Sequence, residues 1–123
     1  MEKVGSYKDL VVWQKSIDLV VLVYRVTDKY PRDEMYSITS QTRRAAVGIP
    51  ANIAEGRQRN HNSEFIQFLG IAFGSASELE THLIIAKRLG YLNESDFKKV
   101  IDLLDEVNKM LYSLIKKLKS KPE

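Results

Sequence analysis

The stretch Phe65-Ile66-Gln67-Phe68-Leu69-Gly70-Ile71-Ala72-Phe73-Gly74-Ser75-Ala76-Ser77-Glu78-Leu79-Glu80-Thr81-His82-Leu83-Ile84-Ile85-Ala86 decides the fold class. Within it Phe65, Leu69, Ala72, Ala76, Leu79, Leu83 and Ala86 recur at steps of three and four, the repeat of one helix face. Asn62 and Ser63 stand before it as capping residues. Gly90 follows it, where a glycine accepts the left-handed conformation that closes a helix. A second set, Ile66, Phe68, Ile71, Phe73, Ile84 and Ile85, falls outside that stripe, together with Gly70 and Gly74. A bundle helix buries a stripe a little over 100° wide, so this helix carries more apolar surface than one bundle covers.

The same period extends in both directions. Before it, Leu10, Trp13, Ile17, Val20, Tyr24 and Thr27 mark a helix that ends ahead of Pro31, with Val11, Val12, Val21 and Val23 outside its stripe. Ile38, Thr42, Ala45, Ile49 and Ile53 mark a second. After it, Phe97, Val100, Leu104, Val107, Leu111, Leu114 and Leu118 mark a fourth, opened by an Asn93 cap with Asp96 three residues on. The expected helices span 8–29, 34–58, 63–89 and 94–119. Connections of three or four residues make neighbours antiparallel. The expectation is an all-α, antiparallel up-down-up-down four-helix bundle forming a single domain over 1–123.

The 123 residues suit one domain. With 28% charged and 44% hydrophobic residues the chain is globular rather than disordered. No cysteine is present, which excludes a disulfide framework and a thiolate metal site. No signal-peptide pattern or membrane-length apolar run occurs, so a cytoplasmic protein without a membrane partner is expected. Surplus apolar faces on the first and third helices mean either a broad core with tilted helices or contact with another subunit. The second is the simpler, and Val12, Ile66, Gly70, Phe73, Gly74 and Ile84 are the candidate interface residues. Burying such a Phe or Ile is worth about 1.5–3 kcal/mol.

Residues 40–59 depart most from generic bundle sequence. Pro50 lies inside the helical pattern, lacks the N–H that the Ala46 carbonyl would accept, and is expected to kink the helix. Asn52 beside it could take up that carbonyl. Arg43 and Arg57 share a face with Pro50. Arg44 and Arg59 lie close by, and Lys116 and Lys117 add to a C-terminal run of lysines without acids. Residues 62–108 are instead net acidic. Arginine clusters suit bidentate phosphate contact, so these six residues are the candidate nucleic-acid surface. Two structural roles compete with it. Lysines complement a helix C-terminus, and Arg43 or Arg44 could pair with Glu55 or with acids on a neighbouring helix.

Signals for catalysis are sparse. Glu78 and His82 share a helix face, but the paired Glu-x-x-His motifs of a di-iron bundle are missing. Gly70, Gly74 and Gly90 have no phosphate-loop spacing. Ser75 and Ser77 have no evident base. No catalytic residue, metal or cofactor is expected, and the protein is expected not to be an enzyme.

Tyr7-Lys8-Asp9-Leu10-Val11-Val12-Trp13-Gln14, Tyr30-Pro31 with Glu34, Ser40 to Val47, Ile49-Pro50-Ala51-Asn52-Ile53-Ala54-Glu55-Gly56 with Arg59, Gly74 to Thr81, and Leu89-Gly90-Tyr91-Leu92 together resemble the 23S rRNA intervening-sequence protein family, also called the S23 or four-helix-bundle protein family. Gly48 and Ala51 stand where that pattern usually or commonly has serine, so no hydroxyl role carries over there. The resemblance implies an antiparallel four-helix bundle assembling as a ring-like homopentamer. It also implies kinship with the bacterial accessory variability determinant proteins of diversity-generating retroelements, which assist a reverse transcriptase and bind nucleic acid through a basic surface. The functional expectation is a non-enzymatic homo-oligomer that binds RNA or DNA. The alternative is a scaffold for an acidic or reverse-transcriptase-like protein partner.

Overall fold

The structure is a computed structural model and describes residues 5–121. A 3-10 turn at Tyr7–Asp9 leads into α1, Val11–Thr27. A 3-10 turn at Arg32–Glu34 and a π-helical turn at Met35–Thr39 lead into α2, Ser40–Arg57. Then come α3, Asn62–Arg88, and α4, Glu94–Lys119. No strand occurs among the described residues, and the architecture is that of a four-helix bundle.

The helix ends are tied to one another by side chains. Arg57 Nη2 donates to the Gly5 carbonyl oxygen at 3.0 Å, which puts the end of α2 beside the approach to α1. At the opposite end, Lys29 just past α1 meets Asp96 in the first turn of α4 at 2.8 Å. There the Tyr91 hydroxyl donates to Glu34 Oε2 at 2.9 Å, joining the α3–α4 connection to the approach to α2. The Tyr30 and Tyr91 rings pack 5.9 Å apart beside that bond.

α3 buries Phe65, Leu69, Ala72, Ala76, Leu79, Leu83 and Ala86, the face expected from its period. Its C-terminus is a Schellman motif: Gly90 has φ 82°, Tyr91 N–H donates to the Ala86 carbonyl at 2.9 Å, and Gly90 N–H to the Lys87 carbonyl at 3.0 Å. α4 is capped by Asn93, whose side chain accepts from the Asp96 N–H at 2.7 Å. It buries Val100, Leu104, Val107 and Leu111, while Phe97, Leu114 and Leu118 are half-buried.

α1 differs from its expected phase. The buried side chains are Val12, Ser16, Leu19, Val23, Val26 and Thr27, whereas Tyr24 is exposed. Valines lie all round this helix, so the apolar period admits more than one phase. The core takes the one in which both polar members are satisfied by their own helix. Ser16 Oγ donates to the Trp13 carbonyl and Thr27 Oγ1 to the Val23 carbonyl, each at 2.7 Å. α1 also begins three residues later than expected, because 7–9 form a 3-10 turn.

The break in the second helical segment falls ahead of the expected kink at Pro50. Tyr36 (φ −99°, ψ 15°) and Ser37 (φ −126°, ψ −107°) leave helical geometry, and α2 proper starts at Ser40. Across Pro50 the helix continues, and Pro50 is buried. Asn52 Nδ2 donates to the Gly48 carbonyl at 2.7 Å rather than to that of Ala46. Two glycines set the approach of α2 to α3. A Cβ on Gly48 would stand 2.8 Å from Ser75 Oγ. A Cβ on Gly56 would stand 2.7 Å from Phe68 Cβ and 3.3 Å from the Phe65 carbonyl oxygen.

Candidate nucleic-acid interface

The structure divides the six candidate cations between the two ends of the molecule. Fourteen residues of α2 separate Arg43 from Arg57, a rise of about 21 Å. Arg43 lies against the C-terminal turn of α1. Its Nε donates to Thr27 Oγ1 at 2.9 Å, and its Nη2 reaches Asp28 Oδ1 at 3.2 Å and the Tyr24 carbonyl at 3.4 Å. The guanidinium also covers the Tyr24 ring, 4.6 Å from its centroid. Only 17% of the side chain is exposed. The Tyr24 carbonyl already accepts from the Asp28 N–H at 3.1 Å and the Thr27 hydroxyl at 3.2 Å, and Arg43 adds a further, longer donor from a neighbouring helix. Arg43 is thus committed to the fold. Arg44, next to it, is exposed and lines a shallow groove with Tyr24, Met35, Tyr36, Ser40 and Val47.

The other four cations gather at the opposite end. Arg57 is held on the Gly5 carbonyl and lines a depression with Ser6, Tyr7 and Gln58. Arg59 pairs with Glu55 at 3.0 Å, one turn apart, and lies 4.8 Å from the Phe68 ring centroid. Lys116 and Lys117 are exposed in the last turn of α4 and form no ion pair among the described residues. Chain segments 5–15, 53–68 and 109–121 carry nine Lys and Arg against three Asp and Glu. The remaining described segments, 16–52 and 69–108, carry nine against eleven. The end bearing Arg57, Arg59, Lys116 and Lys117 therefore carries +6, while the rest of the described residues together carry −2. Two cross-helix ion pairs, Lys15–Glu106 at 3.2 Å and Lys87–Glu94 at 2.8 Å, use acids of the less basic part.

The candidate interface residues also separate. Val12 is only 5% exposed and belongs to the core, so it is corrected from an interface residue to a packing residue. The α1 phase accounts for this. Ile66 is half-buried, and Phe73 is half-buried and packs on the core. Ile84 is exposed, along with Ile71 and Ile85 on the same helix. Gly70 and Gly74 are exposed, and a Cβ on either would meet nothing within 4 Å. A second apolar surface, not singled out in the sequence, runs over Val21, Tyr24, Met35, Tyr36 and Val47. Here the Tyr36 ring is 96% exposed. The Val21 and Val47 signals were present as apolar residues off the core stripes. Tyr36 had none, because its exposure comes from the break at Tyr36–Ser37.

No group of three or more metal-ligating side chains converges among the described residues. Nδ1 of His82 is buried without a partner. No helix is long and apolar enough to cross a membrane.

Glu34 is the one carboxylate whose ionisation the fold clearly perturbs. The Ser37 hydroxyl, 2.7 Å away, and then the Tyr91 hydroxyl donate to it. They hold its pKa below the ordinary value of 4.5, against a smaller opposing effect of burial. The same bond raises the Tyr91 pKa, and burial pushes that of Tyr30 to about 12. These groups bind two connections together.

The 23S rRNA-intervening sequence protein model matches residues 8–113. Among curated proteins none matches the chain. A solved structure of a protein with unknown function from the S23 ribosomal protein family of Bacteroides thetaiotaomicron superposes with a TM-score of 0.80. It has 29% sequence identity, over 86% of this chain and 96% of that one. The match runs from the 3-10 turn before α1 to the last third of α4, and the helical architecture is shared. The chain therefore belongs to the 23S rRNA-intervening sequence protein family.

Proposed function

We propose that this protein is a non-enzymatic, antiparallel up-down-up-down bundle that assembles with copies of itself and binds RNA or DNA through the basic end of the bundle. The observation that carries the binding reading is the axial separation of charge, with Arg57, Arg59, Lys116 and Lys117 at the positive end. Polyphosphate backbones bind such clusters by releasing condensed counterions. Lys116 and Lys117 are the foremost phosphate contacts, since they make no ion pair among the described residues. Arg57 and Arg59 are already oriented by Gly5 and Glu55 and would flank them. Arg43 drops out of the contact set because its Nε and Nη2 are held on Tyr24, Thr27 and Asp28 and its side chain is only 17% exposed.

Assembly is supported by the two exposed apolar surfaces. Ile71, Ile84 and Ile85 lie on α3, while Val21, Tyr24, Tyr36 and Val47 lie on the α1 and α2 side. Two unlike faces suit a head-to-tail contact, which closes as a ring when the rotation between subunits permits. The bare surface at Gly70 and Gly74 leaves room for a neighbour's side chains. The family resemblance makes five the number of subunits to test. In such a ring every basic end would lie on one rim, multiplying the positive field.

Reversal of two charges tests the binding reading. Lys116→Glu with Lys117→Glu changes exposed positions only. It should abolish binding to a labelled duplex or structured RNA, measured by fluorescence anisotropy, while leaving the oligomer mass unchanged. Unchanged affinity would remove this end of the bundle from consideration. If no nucleic acid is bound, the basic end would be assigned to an acidic or reverse-transcriptase-like protein partner.

A further inference from the structure

A groove between α3 and α4 lies beside the basic end. It is lined by Phe73, Asn108, Lys109, Tyr112 and Ser113, and encloses about 510 Å³ of open space. Tyr112 is 61% exposed although it follows the fully buried Leu111 in the last third of α4. Lys109 and Lys116 lie three and four residues to either side of it, on the same face of α4. The floor is Phe73, half-buried against the core. Asn108 lines the wall, and its Oδ1 is shielded from solvent with no donor. A shielded carbonyl oxygen without a donor is uncommon and costly.

An exposed aromatic ring, an amide and flanking lysines form a combination that suits a nucleobase. The base stacks on the ring, and the neighbouring phosphates meet the ammonium groups. A duplex hides both faces of its bases, so only an unpaired strand can use such a platform. We propose that the groove between α3 and α4 binds unpaired nucleotides of a single-stranded nucleic acid, with Tyr112 as the stacking platform and Lys109 and Lys116 on the backbone. This rests on the reading of the basic end as a nucleic-acid surface, and it specifies the strand state that surface takes.

The test is an anisotropy titration of the full chain with a labelled single-stranded oligouridine, an oligothymidine and an abasic strand of equal length. Tyr112→Ala should weaken binding to both base-bearing strands by roughly tenfold or more, since stacking one base is worth about 1–3 kcal/mol. Tyr112→Phe, which keeps the ring, should retain wild-type affinity. The abasic strand should bind wild type and Tyr112→Ala alike. If Tyr112→Ala leaves every affinity unchanged while Lys116→Glu with Lys117→Glu lowers them, the stacking site is overturned and the basic surface stands. If wild type binds none of the strands, both fall. If Tyr112→Ala instead lowers the oligomer mass in light scattering, the groove is a subunit contact and the proposal is overturned.

Discussion

Arg43 Nε donates to Thr27 Oγ1 at 2.9 Å, and the same hydroxyl donates to the Val23 carbonyl at 2.7 Å. One buried hydroxyl thus joins the end of α1 to the start of α2, with Asp28 and the Tyr24 carbonyl completing the guanidinium's partners. Removing Arg43 takes away the cross-helix donor to Thr27 Oγ1 and the guanidinium contacts of Asp28 and the Tyr24 carbonyl. Arg43→Ala should cost about 1–3 kcal/mol in chemical denaturation. Arg44→Ala, at an exposed position, should change stability by less than about 0.5 kcal/mol. Equal, small effects for both would mean that Arg43 is a surface residue.

The Glu34–Tyr91 bond predicts an acid-sensitive contribution to stability. The folded-state pKa of Glu34 is depressed by the Ser37 and Tyr91 hydroxyls. Its contribution is therefore fully present above the unfolded-state value near 4.5 and is lost as pH falls through the lower folded value. Tyr91→Phe removes one of the two donors. It should be less stable than wild type at pH 7, and the gap should narrow as pH drops below about 4.5. A gap independent of pH would show that Tyr91 acts through packing on Tyr30 alone.

The glycines predict opposite outcomes by position. Gly56→Ala forces a methyl against the Phe65 backbone and Phe68, and should destabilise the fold by about 1–3 kcal/mol. Gly74→Ala meets nothing in the subunit and should raise its intrinsic stability by up to about 1 kcal/mol through helix propensity. At the proposed subunit contact the same methyl should weaken assembly. Thermal melts and light scattering on the two variants separate these effects.

Charges placed on apolar positions distinguish core from interface. Ile84→Asp should yield a folded monomer with native helical content by circular dichroism and a reduced mass by light scattering. Val12→Asp should unfold the chain, because an unpaired carboxylate at a buried position has no partner. A native oligomer in the Ile84 variant would place that side chain in open solvent.

The sequence pattern carried the buried face of α3 residue by residue, because Phe65, Leu69, Ala72, Ala76, Leu79, Leu83 and Ala86 keep one helical period although other apolar residues lie off it. It also carried the Asn93 cap and the Gly90 closure, which are local chemistry. α1 was legible as a helix but not in phase. Valine on every side leaves the apolar period ambiguous, and the self-satisfied hydroxyls of Ser16 and Thr27 decide which side goes in. The break at Tyr36–Ser37, just ahead of α2, had no such signal, whereas Pro50 drew attention through its missing N–H. Among the candidate cations, sequence spacing put Arg43 and Arg57 on one face. It could not show that Thr27, sixteen residues before Arg43, would claim one of them. The Glu34–Tyr91 bond spans 57 residues and has no signature in spacing at all.

The central claim, that the basic end binds a phosphate backbone, is tested most directly by the salt dependence of that binding. Affinity for a structured RNA and for a DNA duplex would be measured by anisotropy over a series of salt concentrations. Wild type should show log affinity falling linearly with log salt. In the Lys116→Glu, Lys117→Glu variant binding should disappear. In Lys116→Gln, Lys117→Gln it should persist with a slope shallower by about two, one for each ammonium group removed from the phosphates. No binding by wild type at low salt, or a slope that the glutamine variant leaves unchanged, would contradict the account.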